Sequence, residues 1–271
     1  METSTRIRPP AVAGMFYEGN PSVLAQQVVD YLTEAPALAC KPKALIVPHA
    51  GHIYSGAIAA SAYRLLAERA GEIRRVVLLG PVHRVPVQGL ATSGAESFRT
   101  PLGDVPLDRA AIAAACRLPG VAENDLAHQL EHSLEVQLPF LQAVLDDFTL
   151  VPFAVGNASG EQVAAVIDLL WGGDETLIVI SSDLSHFHTY AQAQLIDRAT
   201  SDSILHLTPL TSHEQACGAT PVNGMLLAAQ RHGLQPSLLD LRNSGDTAGD
   251  RSRVVGYASF AFCPSEEPRH V

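Results

Sequence analysis

Basic charge is what this sequence has least of. It holds two lysines, Lys41 and Lys43, and its 18 basic residues face 28 acidic ones, for a net charge of −10. Nucleic acid and anionic membrane are recognised through clustered Lys and Arg, so neither is expected as the main partner. Long apolar runs are also missing. Nowhere do about 18 uncharged apolar residues follow one another, which predicts no membrane span. The opening METSTRIRPPAVAG has no apolar stretch of signal-peptide length, and a cytoplasmic location is expected. The four cysteines, Cys40, Cys116, Cys217 and Cys263, are far apart with no C-x-x-C pair, a pattern that predicts free thiols rather than a disulfide framework. No repeat, low-complexity tract or linker interrupts the chain, so residues 1–271 are expected to form a single domain.

Apolar residues, by contrast, make up 47% of the chain against 17% charged, enough to build a well-buried, enzyme-like body. Residues 1–20 form an irregular leader in which Met15, Phe16 and Tyr17 offer an apolar plug. Ala44 to Val47, Arg75 to Gly80 and Thr176 to Ile180 read as fully buried strands, and 87–92, 149–155, 237–242 and 253–262 as further strands. Helical spacing predicts helices over 21–32, 57–70, 107–117, 133–145, 160–170 and 191–207. One more is expected from Pro221, at the first helical position, to His232, with Gly233 as its C-cap. Phe98 to Pro106 reads as a loop. The alternation predicts an α/β fold with a mostly parallel or mixed central sheet flanked by helices and right-handed crossovers.

Each of the three buried-strand runs breaks into a loop that carries histidine. The first ends in Pro48-His49-Ala-Gly-His52, the second in Pro81-Val-His83-Arg84, and the third in Ser181-Ser-Asp183-Leu-Ser-His186. In a parallel sheet all carboxyl ends share one edge, so His49, His83, Asp183 and His186 are expected to meet in one crevice. Neutral imidazoles suit Zn, Cu and Fe(II), and two of them with one anionic ligand leave positions open for substrate or dioxygen. Asp183 could orient a histidine or ligate directly, and a further imidazole could serve as acid or base.

His128-Gln-Leu-Glu-His132 matches H-x-x-E-H, the inverted zinc-protease signature, and allows a zinc hydrolase as an alternative. Helical geometry would put His128, His132 and Glu135 on one face, and the plainer reading has that face lining the common crevice, with His132 beside the substrate.

Seven segments together resemble the Memo family, whose bacterial and archaeal members are often called AmmeMemoRadiSam system protein B. They are VAGMFY (12–17), PHAGHIYSG (48–56), GPVH (80–83), the run from His128 to Phe140, SSDLSHF (181–187), ACG (216–218) and NSGDTAGDRSRVVGYASFAF (243–262). The family is similar in fold to the LigB-type extradiol dioxygenases. The resemblance implies His49, His83 and Cys217 as metal ligands, Cys217 standing where the dioxygenases use glutamate. It implies His186 as the acid/base histidine, with Asp183 and His132 lining the same pocket. One divalent transition metal, Fe(II) or Cu with Zn as the third candidate, would then serve a dioxygenase-like or oxidase reaction. A binding or adaptor protein, using the pocket for a phosphopeptide or small molecule, is the non-catalytic alternative. The family name also implies radical-SAM and AMMECR-type partner proteins. His52 stands where relatives usually carry an aromatic residue and is a candidate additional ligand.

Overall fold

The computed structural model describes residues 6–36 and 40–265. The strands are β1 (Ile7–Arg8), β2 (Ala44–Val47), β3 (Arg75–Pro81), β4 (Leu90–Thr92), β5 (Ser97–Thr100), β6 (Gly103–Pro106), β7 (Val121–Glu123), β8 (Thr149–Val155), β9 (Thr176–Ser181), β10 (His186–His188), β11 (Leu234–Asn243) and β12 (Val254–Pro264). The helices are α1 (Pro21–Glu34), α2 (His52–Tyr63), α3 (Arg109–Ala115), α4 (Asp125–Gln129), α5 (Leu138–Val144), α6 (Gly160–Leu169), α7 (Tyr190–Leu205) and α8 (Ala219–His232).

The continuous apolar runs become the centre of a mixed sheet, as their lack of alternation requires. Strand order is β10-β12-β2-β9-β3-β8-β4-β7, with β11 also paired to β12. The pairs β2–β9, β9–β3 and β3–β8 are parallel. Val47 lies opposite Ser181, and Leu79 opposite Ile180. The loops leaving β2, β9 and β3 therefore emerge side by side at one edge of the sheet. Helices flank this sheet in a single α/β domain.

The last two strands are antiparallel, to each other and to β2, which makes the sheet mixed, as the fold expectation allowed. Their short polar connection, Ser244 to Arg253, can close a hairpin but is too short for the crossover that parallel pairing needs. Phe98 to Pro106 is no loop: β5 and β6 pair antiparallel across a turn at Pro101 and Leu102 and join β1 in a small second sheet. The helix expected over 133–145 starts at Leu138, after a 3₁₀ turn at Glu135–Gln137, because Pro139 fits only the first helical turn. Helix α2 starts earlier than expected, at His52, directly behind Gly51. Pro221 sits in the third position of α8 rather than the first, where its missing N–H is equally harmless. Gly233 does cap α8, with φ +66°.

The cysteine expectation is also corrected. Cys40 and Cys263 are joined as a disulfide, with Cα atoms 6.6 Å apart, while Cys116 and Cys217 are free. Antiparallel pairing of β2 with β12 brings the residues before Ala44 against the end of β12, and the Lys43 N–H donates to Phe262 O at 2.8 Å. A sequence separation of 223 residues hides this proximity from the one-dimensional pattern.

The leader packs, as its apolar plug suggests. Arg8 lies in β1, and its guanidinium donates to His128 O from Nε and Nη2 (3.0 and 2.8 Å), to Glu131 O (2.6 Å) and to the Glu135 carboxylate. Glu135 also accepts from Ala11 N, Val12 N and the Tyr17 hydroxyl. Both charges are buried, so each depends on the other. Arg8→Met should therefore lower the unfolding free energy by roughly 3–5 kcal/mol, because it strands a buried carboxylate. Adding Glu135→Gln should recover part of that loss; urea titration of both variants measures it.

Candidate metal centre

His49 follows β2, and its position is fixed by a hydroxyl whose bonds can be counted. Ser181 Oγ, at the end of β9, donates its one proton to Ser133 O (2.6 Å) and accepts from Gln137 Nε2 (2.8 Å). It lies 3.0 Å from His49 Nδ1, so the imidazole must donate there. The proton is thus on Nδ1, and Nε2 keeps its lone pair. Gln137 Nε2 also holds Pro48 O at 2.8 Å, which anchors the loop backbone.

His83 follows β3 and is fixed in the same manner by a carboxylate. Its Nδ1 donates to Glu131 Oε1 at 2.8 Å, and its backbone N–H donates to Glu131 Oε2. Glu131 also accepts from the N–H groups of His132 and Ser133, both at 2.9 Å. Burial pushes the Glu131 carboxyl up, but the His83 hydrogen bond and charge and these backbone donors outweigh it and hold the group at about 2. The carboxylate is therefore ionised, and it engages Nδ1 of His83.

These loops meet. Among the described residues, His49, His83 and His132 offer nitrogens that all lie within 4.8 Å of one another. The ring centroids are 5.2 Å apart for His49 and His83, 4.7 Å for His83 and His132, and 5.6 Å for His49 and His132. Among the described residues, Nδ1 of His132 is buried without a hydrogen-bond partner, with Glu131 Oε1 3.4 Å away. Phe16, from the leader, covers the His132 ring at 4.7 Å. Cys217 lies immediately before Gly218, the N-cap of α8, and its Sγ is 3.3 Å from His49 Nε2. Burial, with the nearby Asp183 charge, pushes the Cys217 thiol up to about 12. Burial, with the charge of His83, takes the His49 imidazole down to about 3, and burial with the charge of His49 takes His132 to about 4. Neutral imidazoles converging with one thiol are a donor set that fits a transition metal.

Asp183, 4% exposed, accepts from the N–H groups of His49 (2.7 Å) and Ala50 (3.3 Å), and its Oδ2 is 4.0 Å from His49 Nε2. Burial raises its carboxyl despite these donors. His186 lies in the same region, and its Nδ1 donates to its own loop at Leu184 O (2.8 Å). The turn between Asp183 and His186 is clamped by β12, where Leu184 N donates to Gly256 O and Gly256 N to Ser185 O, both at 2.8 Å. Ser185 N donates to Asp197 on α7 at 3.0 Å. A side chain on Gly256 would come within 2.0 Å of that carboxyl, so the close approach requires glycine.

The H-x-x-E-H segment does not present two histidines on one helical face. Helix α4 ends at Gln129, His128 turns into the interior with Nε2 on Ala91 O (3.0 Å), and Glu135 is bound to Arg8. His132 alone reaches the site. His52, the first residue of α2, is not part of the cluster: its Nε2 donates to Val136 O at 3.0 Å, and it is 3% exposed. Sequence reasoning missed Glu131, Ser181 and Gln137 as the groups that orient the histidines. For Glu131 the available signal was an acid set between Leu130 and His132, in a run apolar enough to bury it.

Four imidazoles, His49, His52, His128 and His132, have pKa values lowered chiefly by burial, to about 3 for His49 and about 4 for the others. The unfolded chain binds protons on them below its ordinary histidine value of 6.5, and the folded chain does not. Each ring thus removes about 1.4 kcal/mol of stability per pH unit from about pH 6.5 down to its folded value. The raised Asp183 and Asp197 carboxyls act in the opposite sense but are fewer. The urea midpoint should fall steadily between pH 7 and 5; a flat profile would contradict this account.

A family model described as Memo-like protein matches residues 8–261. A MEMO1 family protein of Methanopyrus kandleri is 35% identical over 280 residues, covering 94% of this chain and 98% of that protein. One from Aquifex aeolicus is 35% identical over 272 residues, covering 95% and 99%, and one from Thermoplasma volcanium is 32% identical over 272 residues, covering 95% and 98%. Similarity of this depth reaches from the leader that holds Arg8 to the last strand of the sheet, and by it the chain belongs to the Memo family.

Proposed function

We propose that this chain is a metal-dependent oxidoreductase, dioxygenase-like or an oxidase, with its metal held by His49, His83 and Cys217. The observation that carries this reading is the meeting of three imidazoles at one edge of the sheet, with the Cys217 thiol 3.3 Å from His49 Nε2. Bound iron or copper would supply one-electron chemistry with dioxygen. The chain's own residues prepare the site. Ser181 and Glu131 engage Nδ1 of the His49 and His83 rings, Phe16 covers the His132 ring, and the Asp183 carboxyl lies beside His49. His186, with Nδ1 committed to Leu184 O, offers Nε2 to take up or release a substrate proton. The buried H-x-x-E-H histidine, turned onto Ala91 O, favours this reading over a zinc hydrolase.

His132 competes with Cys217 for the third ligand position, and pH separates them. Cys217, with its thiol at about 12, must lose a proton to ligate, whereas His49 and His132 are already neutral. Metal affinity measured by chelator competition should rise about tenfold per unit between about pH 7.5 and 9 if the thiolate ligates, and stay level if the third ligand is His132. Metal content should drop to background in His49→Ala and Cys217→Ala with the fold retained. Oxygen uptake with catechols that is no greater than in Cys217→Ala would reject the oxidoreductase reading, and retained metal in Cys217→Ala would reject the ligand set.

A further inference from the structure

Phe187 has backbone φ +64°, a left-handed conformation that a bulky residue rarely adopts. It is the extra residue of a bulge, since His186 and His188 lie opposite adjacent residues, Val255 and Val254, on β12. Burial does not explain the strain, because the side chain is 60% exposed. What the ring does touch is His186: the two centroids are 5.6 Å apart with the planes 72° from parallel. The Arg253 guanidinium carbon lies 4.3 Å from the Phe187 ring centroid. The residues before the bulge are pinned by Gly256 and Asp197, so the backbone cannot relax by sliding along β12.

We propose that Phe187 is a positioning residue for His186. Its left-handed bulge sets the aromatic ring edge-on to the imidazole and holds that imidazole with Nδ1–H on Leu184 O, leaving Nε2 as the lone-pair nitrogen. Strain kept at a site without compensating burial is the pattern of a residue retained for the pose of its neighbour rather than for stability. Arg253 holds the ring by a cation–π contact so that the bulge has one side-chain arrangement. The inference goes beyond the oxidoreductase reading and does not depend on which metal is bound.

The test pairs two readouts on protein supplied with Zn(II), which is diamagnetic. Imidazole nitrogen NMR at about pH 8.5, where a free histidine is neutral, reports the His186 tautomer, and thermal unfolding reports stability. Wild type should show His186 mainly as the Nδ1–H tautomer. Phe187→Gly, which accepts positive φ and deletes the ring, should melt at wild-type temperature or up to about 3 °C higher while the Nδ1–H fraction falls at least twofold. Phe187→Tyr should restore both values. Phe187→Ala, which keeps the strain, should melt below Phe187→Gly and show the same tautomer loss. An unchanged tautomer in Phe187→Gly and Phe187→Ala would overturn the proposal, as would a melting temperature for Phe187→Gly well below that of Phe187→Ala. Failure of wild type to bind Zn(II) would count against the metal reading alone, since the tautomer comparison stands without it.

Discussion

A buried carboxylate with four donors holds the crevice together. Glu131 is 2% exposed, and an ionised group at that depth is tolerable only if its oxygens are fully engaged. Its partners are the ring and backbone of His83 and the backbones of His132 and Ser133, so meeting the requirement locks the loop after β3 to the segment before α5. Arg8 holds the same segment through the carbonyl oxygens of His128 and Glu131. The leader is thereby part of the site's support, although it contributes no charged group to the crevice.

A second constraint is proton counting. Ser181 has one hydroxyl proton and spends it on Ser133 O, which leaves His49 Nδ1 no choice but to donate. His49 and His83 are thus oriented by partners that engage Nδ1, and burial keeps the rings of His49 and His132 uncharged. Cys217 is the exception. Its environment opposes the charged form, so a site built from these groups is asymmetric: imidazoles ready to donate electron pairs, and a thiol that first has to release a proton.

Much of this was legible in one dimension, for a physical reason. Fully buried strands have no alternation to disguise them, and a strand that ends in a histidine loop announces both its direction and its edge of the sheet. The runs ending at His49, His83 and Asp183 carried that information, and the structure sets their loops side by side. What could not be read were partnerships between segments distant in sequence. The pairing of β12 with β2, the contact of Cys40 with Cys263 and the capture of Glu135 by Arg8 depend on how the sheet closes, not on any local pattern. The H-x-x-E-H segment misled in a different way. Its spacing presumes one continuous helix, and the chain leaves helical geometry at Leu130, so the two histidines part company. Cys217 gave no signal beyond a turn before a helix, and only the family resemblance singled it out.

The approach of Gly256 to Asp197 carries a consequence for how this chain can evolve. The carboxyl occupies the space that a side chain on β12 would need, and the same glycine supplies the two backbone hydrogen bonds that hold the turn between Asp183 and His186. The two positions are therefore not free to drift separately. A larger residue at 256 becomes tolerable only after 197 has been shortened, and shortening 197 first removes the acceptor of Ser185 N. Every single-step path passes through an intermediate that loosens the loop bearing His186, so the pair behaves as one inherited unit.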